Sequence, residues 1–317
     1  MNTKNLAISV KNISKKYKNG INALNKVSFS VEYGEIFGLL GPNGAGKSTT
    51  IRILATLTKM TSGLVSVAGH DISSSSHIVR KKIGYVAQSS GIDKWATGRE
   101  NLYLQAHLER VPKKLINKRI NHLLDWIGLS KSANQIVNTY SGGMKRRLEI
   151  AMGLVHEPEV LFLDEPTTGL DPETRHALWK DLKRLRIENN MTVLITTHYL
   201  EEADHLCDNL AIIDQGAVIV KGSPEYLKSQ IDKNSIDITI DENKIDQAIS
   251  KLKKIPGVSE VSKKNNILHL NVKNGPTLMP LIISNLNDLS INVTSISFSN
   301  ASLDDVYLKH TGQNFEK

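Results

Sequence analysis

The chain has a single cysteine among its 317 residues, Cys207, so no disulfide can form within it and a disulfide-stapled secreted scaffold is excluded. A reducing compartment is the simpler setting, and the lone thiol reads as a small packing group. Long apolar runs are missing as well. A bilayer span needs about 20 consecutive apolar residues, whereas clean runs such as Val160–Leu163 and Leu210–Ile213 are far shorter. Met1–Lys11 holds no apolar stretch of roughly 7–15 residues ending at a small-residue cleavage site, so it is no secretory signal and the expected location is the cytoplasm. Sequence repeats, long heptad runs and cysteine pairs with metal-ligand spacing are also absent.

What is present is ordinary globular composition, 40% hydrophobic and 23% charged, which excludes disorder of the whole chain. At roughly 100–200 residues per domain, the length suggests two domains. The formal net charge of +8 is unevenly placed: residues 230–317 carry ten lysines against ten acids, so the excess of 30 basic over 22 acidic residues lies wholly in 1–229. A basic surface suits nucleic acid, anionic lipid or a phosphate-rich ligand, and composition does not choose among them.

Residues 6–10 and 27–31 are short apolar, β-branched runs separated by the turn-like Lys18-Asn19-Gly20, which predicts antiparallel strands at the start. Glu35–Leu40 is a compact apolar run ending at Gly41, and beyond Lys47 the positions Ile51, Leu54 and Leu57 fall at helical spacing. Helical stretches Lys145–Val155 and Arg175–Arg186 each precede a buried-strand candidate, Val160–Leu163 and Thr192–Thr196. That alternation predicts a parallel sheet covered by helices. Beyond Gly222-Ser223-Pro224, a short helix Glu225–Gln230 leads into an alternating strand at Ile236, Ile238 and Ile240. A helix (Asn243–Lys254), two strands (Val258–Ser262, Ile267–Val272), a helix (Thr277–Leu289) and a strand (Ile291–Phe298) follow. This β-α-β-β-α-β order is ferredoxin-like, and it places the domain boundary near residue 230.

Gly41-Pro42-Asn43-Gly44-Ala45-Gly46-Lys47-Ser48 matches G-x-x-x-x-G-K-[ST] in the strand–loop–helix context that a phosphate loop requires. Its glycines let backbone N–H groups turn inward, the following helix adds its dipole, Lys47 reaches the β- and γ-phosphates, and the Ser48 hydroxyl takes a place on Mg²⁺. A second contact to that hard cation is expected from a carboxylate ending a neighbouring buried strand, and Asp164 fits. Glu165, the next residue, can face a water attacking the γ-phosphate as general base.

Over residues 5–229 these motifs resemble the ATP-binding cassette ATPases. Tyr140-Ser141-Gly142-Gly143-Met144-Lys145-Arg146-Arg147 is similar to the cassette signature, which other phosphate-loop ATPases lack. Ser141 and the N–H groups of Gly142 and Gly143 open a helix and make a second anion-binding end; the resemblance implies that it grips the γ-phosphate of ATP held by a partner subunit. It also implies ATP contacts from Gly41, Asn43, Gly44, Ala45, Gly46, Lys47, Ser48 and Thr49, and an adenine-stacking ring at Tyr17. Gln88 resembles the glutamine that touches Mg²⁺ and the attacking water while its loop senses a membrane partner, although Ala87 stands where proline is common. Thr168-Gly169-Leu170-Asp171 is similar to the loop through which two cassettes meet, with Asp171 as its working residue. His198, after Thr196-Thr197, resembles the histidine that contacts the γ-phosphate.

Thr97-Gly98-Arg99-Glu100-Asn101-Leu102, Met144, the run Gly153–Pro158 and the tail Ser302–Leu308 look like the drug-resistance branch of exporter subunits, of the daunorubicin type. The fold this implies is a P-loop cassette, with a parallel sheet core, an antiparallel β subdomain and a helical subdomain over 5–229, followed by a small α+β domain over 230–317. The function it implies is an ATP-hydrolysing homodimer, peripheral at the inner face of the cell membrane, that powers a separate transmembrane permease and needs no nucleic acid. An importer or lipid-extraction subunit would use the same chemistry. A soluble cassette ATPase acting on ribosomes or DNA is the alternative; the ribosomal type carries two cassettes and the DNA type a coiled-coil or zinc insertion, and this chain has neither. The permease is expected to dock on the Gln88 loop and Gly91–Leu108, where Trp95, Leu102, Tyr103 and Leu104 could form an interface core. The C-terminal domain reads equally as a dimer-stabilising appendage or as a regulatory or docking module.

Overall fold

In the computed structural model, which describes residues 6–231, 234–240, 244–264, 267–272, 275–299, 301–312 and 315, the first alternating runs form β1 (Leu6–Lys16) and β2 (Asn22–Glu32). They pair antiparallel with Val10 opposite Phe29. The fully buried run Ile36–Leu40 is β3, and the phosphate-loop candidate leads from it into α1 (Lys47–Leu54). Next come β4 (Ser62–Val67), β5 (His70–Asp71), α2 (Ser76–Lys82), β6 (Ile83–Val86), α3 (Gly98–Leu108), α4 (Lys113–Trp126) and α5 (Gly142–Leu154). The unit closes with β7 (Val160–Asp164), α6 (Pro172–Asn189), β8 (Thr192–Thr197), α7 (Leu200–Leu206), β9 (Asn209–Asp214) and β10 (Ala217–Gly222).

Two sheets result. One is antiparallel, in the order β2-β1-β4-β5. The other runs β10-β9-β3-β8-β7-β6, parallel throughout except for the β9–β10 hairpin. A continuous core joins them, with Ile8, Val10 and Val27 of the first sheet in one cluster with Phe37 and Phe162 of the second and Ile51 of α1. The Phe29 and Phe37 rings stack at 5.3 Å between centroids. Side chains of α3 and α4, including Leu102, Ala106, Ile116 and Ile120, are buried in a helical region that also receives α5. A capping box between Thr97 and Glu100 fixes the start of α3.

The approach of α5 to the sheet is governed by two glycines. A Cβ on Gly84 in β6 would stand 2.2 Å from the carbonyl oxygen of Gly153 in α5, so the two backbones touch with no side chain between them.

The chain divides into two compact units, 1–223 and 224–317. The second contains α8 (Pro224–Ser229), β11 (Asn234–Ile240), α9 (Ile245–Leu252), β12 (Val258–Lys264), β13 (Ile267–Val272), α10 (Gly275–Asn287), β14 (Val293–Ser299) and α11 (Leu303–Thr311). Its antiparallel sheet has the order β12-β13-β11-β14, the ferredoxin-like arrangement. Ile236, Ile238, Leu268 and Leu270 pack on Ile245, Leu252, Ile282 and Leu286 of α9 and α10. The contact division lies at 223/224, a few residues before the boundary expected near 230, because α8 packs against α11. Residue 5, the expected start of the cassette, and Asn243, the expected start of the first helix here, lie outside the described residues.

Glu202 of α7 is fully buried and accepts a 3.0 Å hydrogen bond from Trp179 Nε1 of α6, which ties those two helices together. Burial pushes its carboxyl above the usual carboxylate range, only partly opposed by neighbouring hydrogen bonds. A raised folded pKa means that the stabilisation is complete below the unfolded value and is lost as pH rises through the folded one. Glu202→Gln keeps the Trp179 acceptor without the ionisation. It should raise Tm by about 2–4 °C at pH 8 and change it little near pH 4.5; an equal shift at both pH values in thermal melts would refute this.

Candidate active site

Strand β8 lies between β3 and β7, and the loops leaving all three gather at the carboxyl edge of the sheet, where open parallel sheets bind ligands. Gly41 admits no side chain, since a Cβ would fall 2.2 Å from Ile213 O. Gly46 has φ 108°, a left-handed conformation that L side chains avoid, and α1 begins at the next residue. The loop is anchored by Gly41 N donating to Thr197 O (3.3 Å) and Gly216 N donating to Ala45 O (3.0 Å). The unpaired N–H groups at the start of α1 and its dipole favour an anion here.

Lys47 folds back over this loop. Its Nζ donates to Gly41 O at 2.7 Å and Pro42 O at 3.0 Å and lies 3.5 Å from Glu165 Oε1. Burial lowers the pKa of the ammonium, and the adjacent Glu165 carboxylate opposes that shift. Ser48 Oγ donates to Asp164 Oδ1 (3.0 Å), which also accepts from Thr196 Oγ1 (2.6 Å). A serine hydroxyl beside a carboxylate is a hard-oxygen donor set of the kind Mg²⁺ takes.

Glu165 is buried, and its Oε2 accepts from Gln88 Nε2 (3.1 Å) and Thr168 Oγ1 (3.2 Å). His198 Nδ1 is 3.3 Å from the same oxygen, without hydrogen-bond alignment. The Glu165 backbone has φ 46°, in the left-handed region, which costs a residue with a side chain about 1–3 kcal/mol. Its N–H is held there by Thr196, through Oγ1 at 3.0 Å and the carbonyl at 3.1 Å. Such a carboxylate, beside an anion-binding loop and pointed by three neighbouring side chains, can accept a proton from a water molecule.

Tyr17 stands at the edge of this group, its hydroxyl 3.4 Å from Thr49 Oγ1 and its ring beneath Lys15 Nζ at 4.9 Å. The remaining expected residues form a second cluster. Ser141 Oγ caps α5 by accepting from Met144 N (3.2 Å), and Ser141 and Gly142 are exposed at that helix end. Asp171 caps α6, accepting from the Thr174 N–H and hydroxyl, which lower its pKa. Gly143 packs on Thr174, so the two helix ends are neighbours. Among the described residues, no hydrogen bond or ion pair joins Ser141–Gly143 to the loop 41–48.

Sequence reasoning placed Thr168 only in the loop where two cassettes meet and gave Thr196 and Arg146 no role of their own, whereas Thr168 bonds Glu165 and Thr196 bonds Asp164. Arg146 is buried on the same face of α5 as Ile150 and Gly153, and a charged residue on an apolar helix face was the available signal. Leu102, expected at a docking surface, is instead wholly buried, whereas Trp95 is 78% exposed. A cleft of about 890 Å³ opens beside the Gln88 segment, lined by Ala87, Gly91, Leu108 and the cations Arg80, Lys81 and Arg110.

Loop, carboxylates and topology together define a P-loop ATPase of the cassette type. The ABC transporter family profile matches residues 24–168, and that of the C-terminal domain of DrrA1-3-like ATP-binding proteins matches 222–311. The daunorubicin/doxorubicin resistance ATP-binding protein DrrA of Streptomyces peucetius is 38% identical over 307 residues, 96% of this chain and 92% of that one. Nod factor export ATP-binding protein I of Burkholderia orbicola is 41% identical over 232 residues, 73% and 76% of the two chains. Among solved structures, cbiO1 of Clostridium perfringens, part of the ABC transporter complex cbiONQ, superposes with TM-score 0.66 at 30% identity, covering 70% of this chain and 90% of that one. The cassette MJ0796, solved as a dimer bound to ADP and Pi, gives TM-score 0.62 at 29% identity over 68% and 98%. The chain belongs to the ATP-binding subunits of ABC transporters, in the exporter branch that carries a DrrA-like C-terminal domain. It binds and hydrolyses ATP, and the ribosome- or DNA-acting alternative is disfavoured.

Lys47→Ala removes a buried cation from the polyphosphate site. ATP affinity should fall about 10–100-fold, the equivalent of a charge-assisted contact of about 1.5–3 kcal/mol; unchanged affinity by calorimetry would show the loop to be only a turn.

Proposed function

We propose that the chain works as a homodimer that holds two ATP molecules, each between the loop 41–48 of one subunit and Ser141–Gly143 of the other, and drives a separate membrane subunit that exports a drug-like or other small molecule. The observation carrying the chemistry is the convergence of Lys47, Gln88, Thr168 and His198 on one buried carboxylate, Glu165, beside the Ser48–Asp164 pair. Lys47 binds the β- and γ-phosphates, and loop N–H groups surround them. Ser48 and Asp164, with the Gln88 amide oxygen, would hold Mg²⁺, which supplies charge neutralisation at the phosphate oxygens. Glu165 takes the proton of the attacking water while His198 steadies the γ-phosphate, and Tyr17 stacks on adenine.

The dimer reading is supported by the exposed α5 end, a second anion-binding site built from Ser141, Gly142 and Gly143, and by the dimeric MJ0796 cassette. Asp171, at the neighbouring helix end, is suited to the contact between subunits. For the membrane partner, the cleft beside Gln88 and the exposed Trp95, Leu104 and Leu108 offer an apolar surface rimmed by cations. Arg99 and Glu100 are committed elsewhere: Arg99 Nη1 donates to Asn121 Oδ1 (2.8 Å), and Glu100 accepts from Thr97 in the capping box. Peripheral attachment at the inner membrane face follows from this docking. The relatives named above serve drug resistance and Nod factor export, which supports a small-molecule cargo.

Glu165→Gln keeps the side chain's size but cannot take a proton. Steady-state hydrolysis should drop at least about 100-fold, the scale of a lost general base, with ATP still bound and a dimer accumulating on size exclusion with MgATP. Near-wild-type turnover would reject Glu165 as the base, and a monomer at saturating ATP would reject the dimer.

Trp95→Ala removes the most exposed aromatic ring of the docking surface. Co-purification of the membrane subunit should be lost while ATP affinity stays unchanged; normal assembly and transport would move the docking site to another face.

A further inference from the structure

We propose that Arg146 is a positioning residue that holds Glu165 and Gln88 in one register, setting the rate of hydrolysis rather than the affinity for ATP. The inference rests on the reading of Glu165 as the base. Arg146 is the fifth residue of α5 and is 8% exposed. Its Nε donates to Pro166 O (2.8 Å) and its Nη2 to Asp164 O (3.2 Å), so one guanidinium grips the backbone on both sides of Glu165. Its Nη1 donates to Ala87 O (3.0 Å), the residue before Gln88, and to Glu149 Oε2 (2.6 Å).

These contacts fall where the backbone most needs holding. Glu165 sits in the left-handed region at φ 46°, and the two carbonyls flanking it determine where its side chain points. The third carbonyl fixes the start of the Gln88 segment, whose amide donates to Glu165 at 3.1 Å. Arginine suits this task because its donors lie in a rigid plane and its charge is permanent; a lysine ammonium on a flexible stem cannot span three carbonyls at once. The buried charge is compensated by Glu149, and buried pairs of this kind contribute little net stability compared with apolar packing. The energetic return therefore lies in geometry. Because Ser141 caps α5 and Arg146 lies five residues further on, about one and a half turns, the same side chain links the exposed helix end to the backbone around the carboxylate.

The test uses the purified full chain with MgATP, measuring single-turnover rate, ATP affinity and Tm for wild type, Arg146→Lys, Glu165→Gln and the double variant. Arg146→Lys should lower the rate about 10-fold or more and leave affinity within about 2-fold of wild type. The double variant should be no slower than Glu165→Gln alone, since a residue acting through Glu165 has nothing left to position. If Arg146→Lys fails to fold, Arg146→Gln, which carries no buried charge, is held to the same outcomes. A wild-type rate, an affinity loss as large as the rate loss, or defects that multiply in the double variant would each overturn the proposal. A wild-type rate for Glu165→Gln would instead overturn the base reading, and it is a separate measurement from the Arg146 single variant.

Discussion

The placement of β8 between β3 and β7 is the constraint from which the site follows. A strand in that position has one neighbour carrying the phosphate loop and another carrying the carboxylates, and its own end must bond to both. Thr197 O receives the Gly41 N–H, and Thr196 receives the Glu165 N–H twice while its hydroxyl donates to Asp164. One two-residue strand end thus sets the distance between the anion-binding loop and the acidic residues. The threonine hydroxyls are buried, and a buried hydroxyl left unpaired is costly, so these bonds resist rearrangement.

That frame places two adjacent carboxylates in different surroundings. Asp164 is held by hydroxyl donors, Ser48 and Thr196, and stays at the strand end facing α1. Glu165 turns out of the strand through its own left-handed backbone, accepts from Gln88 Nε2 and Thr168 Oγ1, and lies beside Lys47 and the His198 ring. The difference in surroundings comes from backbone direction, because the side chains differ by a single methylene.

Motif spacing made the main features of this arrangement legible. The interval from Gly41 to Ser48, the acidic pair after an apolar run and the histidine after another predict three strand ends at one sheet edge. The regular β-α-β-β-α-β order did the same for the second unit. What stayed hidden depends on partners distant in sequence. Leu102 and Trp95 are both large and apolar, and only tertiary packing separates the core residue from the surface one. Glu100 looks like a surface charge until its bond to Thr97 is seen. The role of Arg146 needs three carbonyls that lie 18 to 59 residues away in the chain. The short helix at 225–230 was legible in the sequence, but that it belongs with the second unit follows only from its contact with α11.

The bare contact between Gly84 and Gly153 has a mechanical consequence. Side chains interposed between a helix and a strand act as compliant spacers, since each can change rotamer and absorb part of a displacement. Here that spacer is missing, and the backbone of α5 bears directly on β6. Close-packed interiors transmit strain, and a joint without rotamers has little slack in which to lose it. The two elements therefore have little room to shift independently at this contact, and β6 runs straight into the segment that carries Gln88. In engineering language the joint is a stiff bearing, and its stiffness comes from the smallest residue available.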